Sequence, residues 1–187
     1  MTTLKVHSIE SAPAGSKPQL EESVKAFGML PNLHGVFAGS PQALEAYKTL
    51  HDLFTKSSFT LEEQTVVWQT INVENECHYC VPAHTAIGHM MKIDASLLEA
   101  LRNDSPLPNA KLQTLKNTTL SIIRDRGRIS EDGLKAFYAA GYGEQQVLDI
   151  ILGIAQKTMS NYTNHIANTP VDAPFQEFAW NKNTAGV

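Results

Sequence analysis

The chain of 187 residues contains just two cysteines, Cys77 and Cys80, and they stand three positions apart with His84 one helical turn further on. In the segment Glu76-Cys77-His78-Tyr79-Cys80-Val81-Pro82-Ala83-His84, a helical backbone would place Cys80 and His84 on one face, at i and i+4. Pro82 has no N–H and is tolerated only in the first turn of a helix, so it pins the helix start near Tyr79 or Cys80. Cys80 is therefore expected at a helix N-terminus, where free N–H groups and the macrodipole favour an anion. His84, one turn on, can take the thiol proton, and both effects lower the Cys80 pKa from an ordinary value of about 8.5. Cys77 is close enough to attack an oxidised Cys80 sulfur and condense a sulfenic acid to a disulfide. The spacing thus suits peroxide reduction or thiol–disulfide exchange.

Other readings of the same residues stay open. Cys77, Cys80 and His84 are all zinc-ligand types, but a closed structural site takes four ligands and no second Cys/His pair of standard spacing exists. Two inert buried thiols, with His84 a satisfied helix residue, are a further possibility. His165, near Asn161 and Asn164, is a candidate to line the pocket, against the general tendency of polar residues late in a helix to face water. Trp68, Met90 and Met91 read as core, and His89 as a surface or interface residue.

These side chains need elements to hold them, and the chain punctuates as helices. Ser40-Pro41 is an N-cap followed by proline, opening a helix over about 41–56 with Ala43, Leu44, Tyr47, Leu50 and Phe54 at helical spacing. Thr60 with Glu63 matches a capping box, and the helix it starts ends near Asn75, leading into the cysteine motif. Further helices are expected at about 80–91, after Asp94, around Leu112 to Ile123 with a stop at Gly127, and from Ser130 to Ala140 with Gly141 beyond. A long helix begins near Val147 and continues through Tyr162 and Ile166, and 174–180 reads as an aromatic closing turn. Residues 1–22 read as an extended arm available to a neighbouring subunit. The Pro106/Pro108 pair divides one domain into helical halves of about 23–105 and 107–187. No alternating β-branched run is present, so the fold class is all-α, with about eight helices.

Composition narrows the function classes. Apolar residues make up 42% and charged residues 18% of the chain, against roughly 25% charged in an average soluble protein. That balance excludes disorder and favours burial of extra surface in a homo-oligomer. A net charge of −4 without a dense basic run argues against a nucleic-acid or anionic-membrane partner. The N-terminus has no secretory apolar stretch and no apolar run is long enough for a bilayer, so the expected setting is cytoplasmic. In a reducing compartment a close cysteine pair points to redox or metal chemistry before it points to a structural staple.

The stretch 60–92, with Cys-x-x-Cys-x-x-x-His entering a helix, resembles the alkylhydroperoxidase D (AhpD) and carboxymuconolactone decarboxylase superfamily. Residues 107–168 are similar to its second helical half, and 175–180 to a closing segment of its peroxidase-related members. The resemblance implies an AhpD-like helical subunit assembling as trimers or hexamers. It further implies a peroxidase acting on small hydroperoxides, recycled by a dithiol reductant of lipoyl or other type, with neither cofactor nor metal. Residue by residue it makes Cys80 peroxidatic, Cys77 resolving and His84 part of a proton relay. The relay glutamate of the family falls at Thr65, and a relay histidine of some members at Tyr79. Glu74, Glu63 and Glu76 are the candidate replacements, with Glu74 preferred because Glu63 already has a capping role. The same superfamily also holds decarboxylase-type lyases, and a non-catalytic metal-binding or oligomeric module is the remaining alternative.

Overall fold

Helix boundaries fall largely where side-chain caps put them. In the computed structural model, which describes residues 4–182, the caps Ser40, Thr60, Asp94, Asn109 and Ser130 each accept a hydrogen bond from a first-turn backbone N–H, a contribution of about 1 kcal/mol apiece. They open α3 (Pro41–Thr55), α4 (Leu61–Glu74), α6 (Ala95–Arg102), α7 (Ala110–Arg124) and α8 (Glu131–Ala139). The remaining helices are α1 (Lys17–Phe27), α2 (Asn32–Phe37), α5 (Cys80–Met90) and α9 (Glu144–Ala167), with 3-10 turns at Ala14–Ser16 and Ala173–Phe178. No strand occurs among the described residues, and eight of the nine α-helices there have eight residues or more. The protein is all-α.

Two expectations are corrected at the N-terminal side. Residues 17–22, expected within an extended arm, form the first half of α1. Pro18 sits in the first turn, where its missing N–H costs nothing, and Leu20 is buried. The short α2 had no counterpart in the sequence pattern. Residues ahead of α1 cross it at Gly35, where the His7 N–H donates to the Gly35 carbonyl at 3.0 Å. A Cβ at Gly35 would stand 2.8 Å from the His7 carbonyl oxygen, so the crossing requires glycine.

The helix α4 is buried on every side from Glu63 to Val73, as expected of a central helix, and packs against α5, α6, α7 and α9. The main core draws on both sides of the Pro106–Pro108 turn: Phe54, Trp68, Ile71, Leu98 and Leu101 meet Leu115, Phe137 and Ile150. A second cluster joins Leu20, Leu33, Phe37, Leu44 and Tyr47 to Cys77, Tyr79 and Cys80. Within the main core α9 closes tightly on α3 and α4 at Gly153, where a Cβ would lie 2.7 Å from Phe54 Cε2 and 3.1 Å from Val67 Cγ1.

Candidate functional site

The turn between α4 and α5 sets the positions of both sulfurs. At the end of α4 the Cys77 N–H donates to the Asn72 carbonyl at 2.9 Å and the Glu76 N–H to the Val73 carbonyl at 3.0 Å. This is a Schellman-type stop, with Glu76 in the left-handed region at φ 52°. The chain then turns through His78 and Tyr79, and α5 starts at Cys80 with Pro82 inside its first turn. Cys80 accordingly occupies the helix N-terminus that Pro82 implies.

Both cysteines are free thiols, and both are buried. Cys80 lines a cavity of about 950 Å³, whereas Cys77 lies behind it, away from the cavity wall. The Cys80 backbone N–H donates to Cys77 Sγ at 3.3 Å. Asn164 Nδ2, from α9, donates to Cys80 Sγ at 3.3 Å and reaches Cys77 Sγ at 3.8 Å; Ser160 Oγ is 3.8 Å from Cys80 Sγ. Burial resists ionisation of Cys80, but the Cys77 S–H, the Lys157 ammonium and polar side chains of α9 outweigh it and bring its pKa down to about 6. The hydrogen bond to Cys80 together with burial pushes the Cys77 thiol up. The sulfur that faces the cavity is thus the more acidic of the two, and the one behind it the less acidic.

Helix α9 supplies a polar stripe to this site. Lys157, Ser160, Asn161 and Asn164 recur at i, i+3, i+4 and i+7, and all are buried. Asn161 Nδ2 donates to Asn72 Oδ1 at 3.1 Å and Asn75 Nδ2 to Asn161 Oδ1 at 2.9 Å, tying α9 to α4. Asn72 Nδ2 in turn donates to Gln69 Oε1 at 3.0 Å, and Gln69 Nε2 to the Val81 carbonyl at 3.2 Å, fixing α5. Lys157 Nζ lies 2.5 Å from His84 Nε2. Trp68 stands between two imidazoles, stacked on His51 with centroids 5.4 Å apart and tilted against His84 at 5.0 Å. Burial, then the charge of Lys157, holds His84 neutral well below the usual histidine range. The same two causes hold His51 at about 4.

The structure brings Cys77, Cys80 and His84 together, although His84 faces Lys157 and is not among the hydrogen-bond partners of Cys80 Sγ in the described residues. It does not bring Glu74 to them. The Glu74 carboxylate is held in a two-pronged pair by Arg124, Nε to Oε1 at 2.8 Å and Nη2 to Oε2 at 2.7 Å, outside the cavity. Glu63 completes the capping box at Thr60 and pairs with Lys111 at 3.0 Å, and Glu76 pairs with Lys182 at 3.1 Å. Thr65 Oγ1 donates to the Leu61 carbonyl of its own helix at 2.8 Å. Tyr79 lines the cavity and donates its hydroxyl to Asp172, whose Oδ1 accepts from the Asn32 N–H at 3.0 Å. Glu63, Glu74 and Glu76 are thus each paired elsewhere, and none of the three lines the cavity.

Above Cys80 the cavity wall is mainly apolar and aromatic, with Phe27, Leu61, Ile87 and Phe175 among its members. Met90 and Met91, expected in the core, instead stand at the cavity mouth, Met90 being 78% exposed. Met90 is the last residue of α5 and Met91 its C-cap. His165, a candidate lining residue, is exposed and stacks on His78 at 6.5 Å. Lys157 is the functional candidate that sequence reasoning missed. Its signal was the continuation of the buried stripe Ile150–Gly153 by polar residues at unbroken helical spacing. No group of three or more His, Cys, Asp and Glu side chains converges among the described residues in a way that could hold a metal ion, and no helix there is long and apolar enough to cross a membrane.

No protein-family model matches the sequence, and no curated protein matches it. Solved structures do match the fold. The chain superposes with a TM-score of 0.81 on an alkylhydroperoxidase AhpD core structure, an uncharacterised peroxidase-related protein from Ralstonia eutropha JMP134, at 19% identity over 91% of this chain and 92% of that one. A peroxidase-related protein from Silicibacter sp. TM1040 gives 0.78 at 20% identity over 92% and 93%. A variant of the debrominase Bmp8 in complex with 2,3,4-tribromopyrrole gives 0.73 at 15% identity over 95% of both chains. The fold is that of the AhpD core.

Proposed function

We propose that this chain, with the AhpD core fold, is a thiol-dependent peroxidase that reduces hydroperoxides at Cys80. The observation that carries the reading is the asymmetry of the two sulfurs: Cys80 faces the cavity as the more acidic thiol, and Cys77 sits behind it with a raised pKa. The Cys80 thiolate attacks a peroxide oxygen, the O–O bond breaks, and the alkoxide leaves as an alcohol after taking one proton. Cys80 is left as a sulfenic acid. Cys77 displaces water from it to close the disulfide, and a dithiol donor of lipoyl or other type restores both thiols.

The oligomer belongs to the same proposal. Leu148, Ile151, Tyr162 and Ile166 leave an exposed apolar stripe along α9, between 48% and 68% exposed. Such a stripe supports burial against another copy of the chain.

The test is stoichiometric. One equivalent of hydroperoxide added to reduced protein should consume both thiols and yield an intramolecular disulfide, while C77S should stop at a sulfenic acid that dimedone traps. Thiols that stay reduced while peroxide persists would sink the reading. A second reading, reductive dehalogenation, is favoured by the likeness to Bmp8 and by the volume of the mainly apolar cavity. There Cys80 would take the halogen from carbon, a proton would replace it, and Cys77 would expel halide as the disulfide forms. Halide release from a brominated pyrrole, with no consumption of hydroperoxide, would select it.

A further inference from the structure

Lys157 is 1% exposed, and its ammonium has His84 as its one side-chain hydrogen-bond partner among the described residues. Placing an ion in such a setting is strongly unfavourable unless an opposite charge compensates it. Cys80, at the start of α5, lines the same cavity as Lys157, and Ser160, three residues on from Lys157, lies 3.8 Å from Cys80 Sγ. His84 meets the ammonium from α5, α4 presents Trp68, over whose ring it sits at 5.7 Å, and Cys77 of the α4–α5 turn and His51 of α3 are the other titratable groups beside it. Among these groups only a thiolate can supply negative charge. When Lys157 is an ammonium, His84 Nε2 can only accept from it, so the imidazole then carries its proton on Nδ1 and positions the ammonium.

We propose that Lys157 takes the place of a relay carboxylate: it holds the Cys80 thiolate as its counter-ion and delivers the proton to the oxygen that leaves. The first half of this role is independent of substrate, and the second rests on the peroxidase reading. In the forward step the thiolate, the hydroperoxide and the Lys157 ammonium give a Cys80 sulfenic acid, an alcohol and a neutral Lys157 amine. The amine then takes the Cys77 proton and passes it to the hydroxide expelled as the disulfide closes. When the dithiol donor has reduced the disulfide, the Cys80 thiol returns its proton to Lys157 and the ion pair is restored. Burial lowers the ammonium pKa and the Cys80 thiolate opposes that shift, which suits a group that gives up and regains one proton per cycle.

Two variants separate the halves. Iodoacetamide modification of Cys80, followed across pH by peptide mass, reads the thiol midpoint whether or not the protein reduces peroxide. K157M should raise that midpoint by about one to three units, because an opposite charge nearby is removed, and slow alkylation at neutral pH roughly tenfold. K157R should keep the low midpoint, yet its rate with cumene hydroperoxide, divided by the thiolate fraction, should fall at least about tenfold because a guanidinium does not release its proton. Methionine matches lysine in length and removes the buried charge, so K157M should remain folded by circular dichroism. If K157R does not fold, the thiolate-normalised peroxide rate of K157M decides the second half. An unchanged midpoint in K157M overturns the counter-ion role, and an unchanged normalised rate overturns the proton-donor role. Wild-type protein inert to peroxide, with a raised midpoint in K157M, would reject the peroxidase reading while leaving the ion pair standing.

Discussion

Replacing Cys77 tests how much of the Cys80 acidity comes from its neighbour. Cys77 is fully buried and makes no part of the cavity wall, so C77A removes a hydrogen-bond donor without opening the site to substrate. A hydrogen bond to a charged group contributes about 1.5–3 kcal/mol, which at about 1.36 kcal/mol per unit is roughly one to two pKa units. The Cys80 midpoint should therefore rise from about 6 to about 7–8 in C77A. The sign follows from the shift: a depressed thiol pKa means reactivity is full above the midpoint and lost as pH falls through it. Wild-type alkylation should be flat above about pH 7 and decline toward pH 5, and the C77A curve should be displaced to higher pH. C77S, which keeps an O–H donor at the same place, should stay within about half a unit of wild type. The assay is the pH dependence of Cys80 alkylation in the three proteins. Coincident C77A and wild-type curves would refute the claim that Cys77 donates to the thiolate.

Glu74 is engaged by Arg124 outside the cavity, so E74Q should retain the Cys80 midpoint and peroxide rate and lose no more than about 1 kcal/mol in a urea melt; a large drop in rate would restore it as a relay group. G153A should cost about 1–3 kcal/mol by the same measurement, because its Cβ would meet Phe54 Cε2 at 2.7 Å with helices on both sides; neutrality would mean that α9 is free to shift. If the α9 stripe is an interface between copies, I151D combined with I166D should lower the mass measured by light scattering, and an unchanged mass would remove that surface from the assembly.

The sequence carried the placement of Cys80 but not its electrostatic surroundings, for physical reasons. The placement of Cys80 was legible because Pro82 restricts the backbone locally and the cap residues Ser40, Thr60, Asp94 and Ser130 each act within one turn of themselves. Glu74 misled because proximity along the chain says nothing of direction: the end of α4 points its carboxylate to Arg124 on α7, fifty residues away. The counter-ion proposed for Cys80 comes from 77 positions downstream of it, and tertiary packing at Gly153 seats its helix, with Lys157 against Trp68 and His84. What local reading could have caught is the phase. Ile150, Gly153, Lys157, Ser160, Asn161 and Asn164 follow one stripe, so the polar residues late in α9 had to lie on the buried face that the apolar ones began. Polar type suggested water, whereas periodicity required burial. Where the two disagree, a lysine on the apolar phase of a helix is a site candidate when no carboxylate pairs with it: Lys116 of α7 is also buried but is offset by Asp104 at 2.7 Å, whereas Lys157 has no such pair among the described residues.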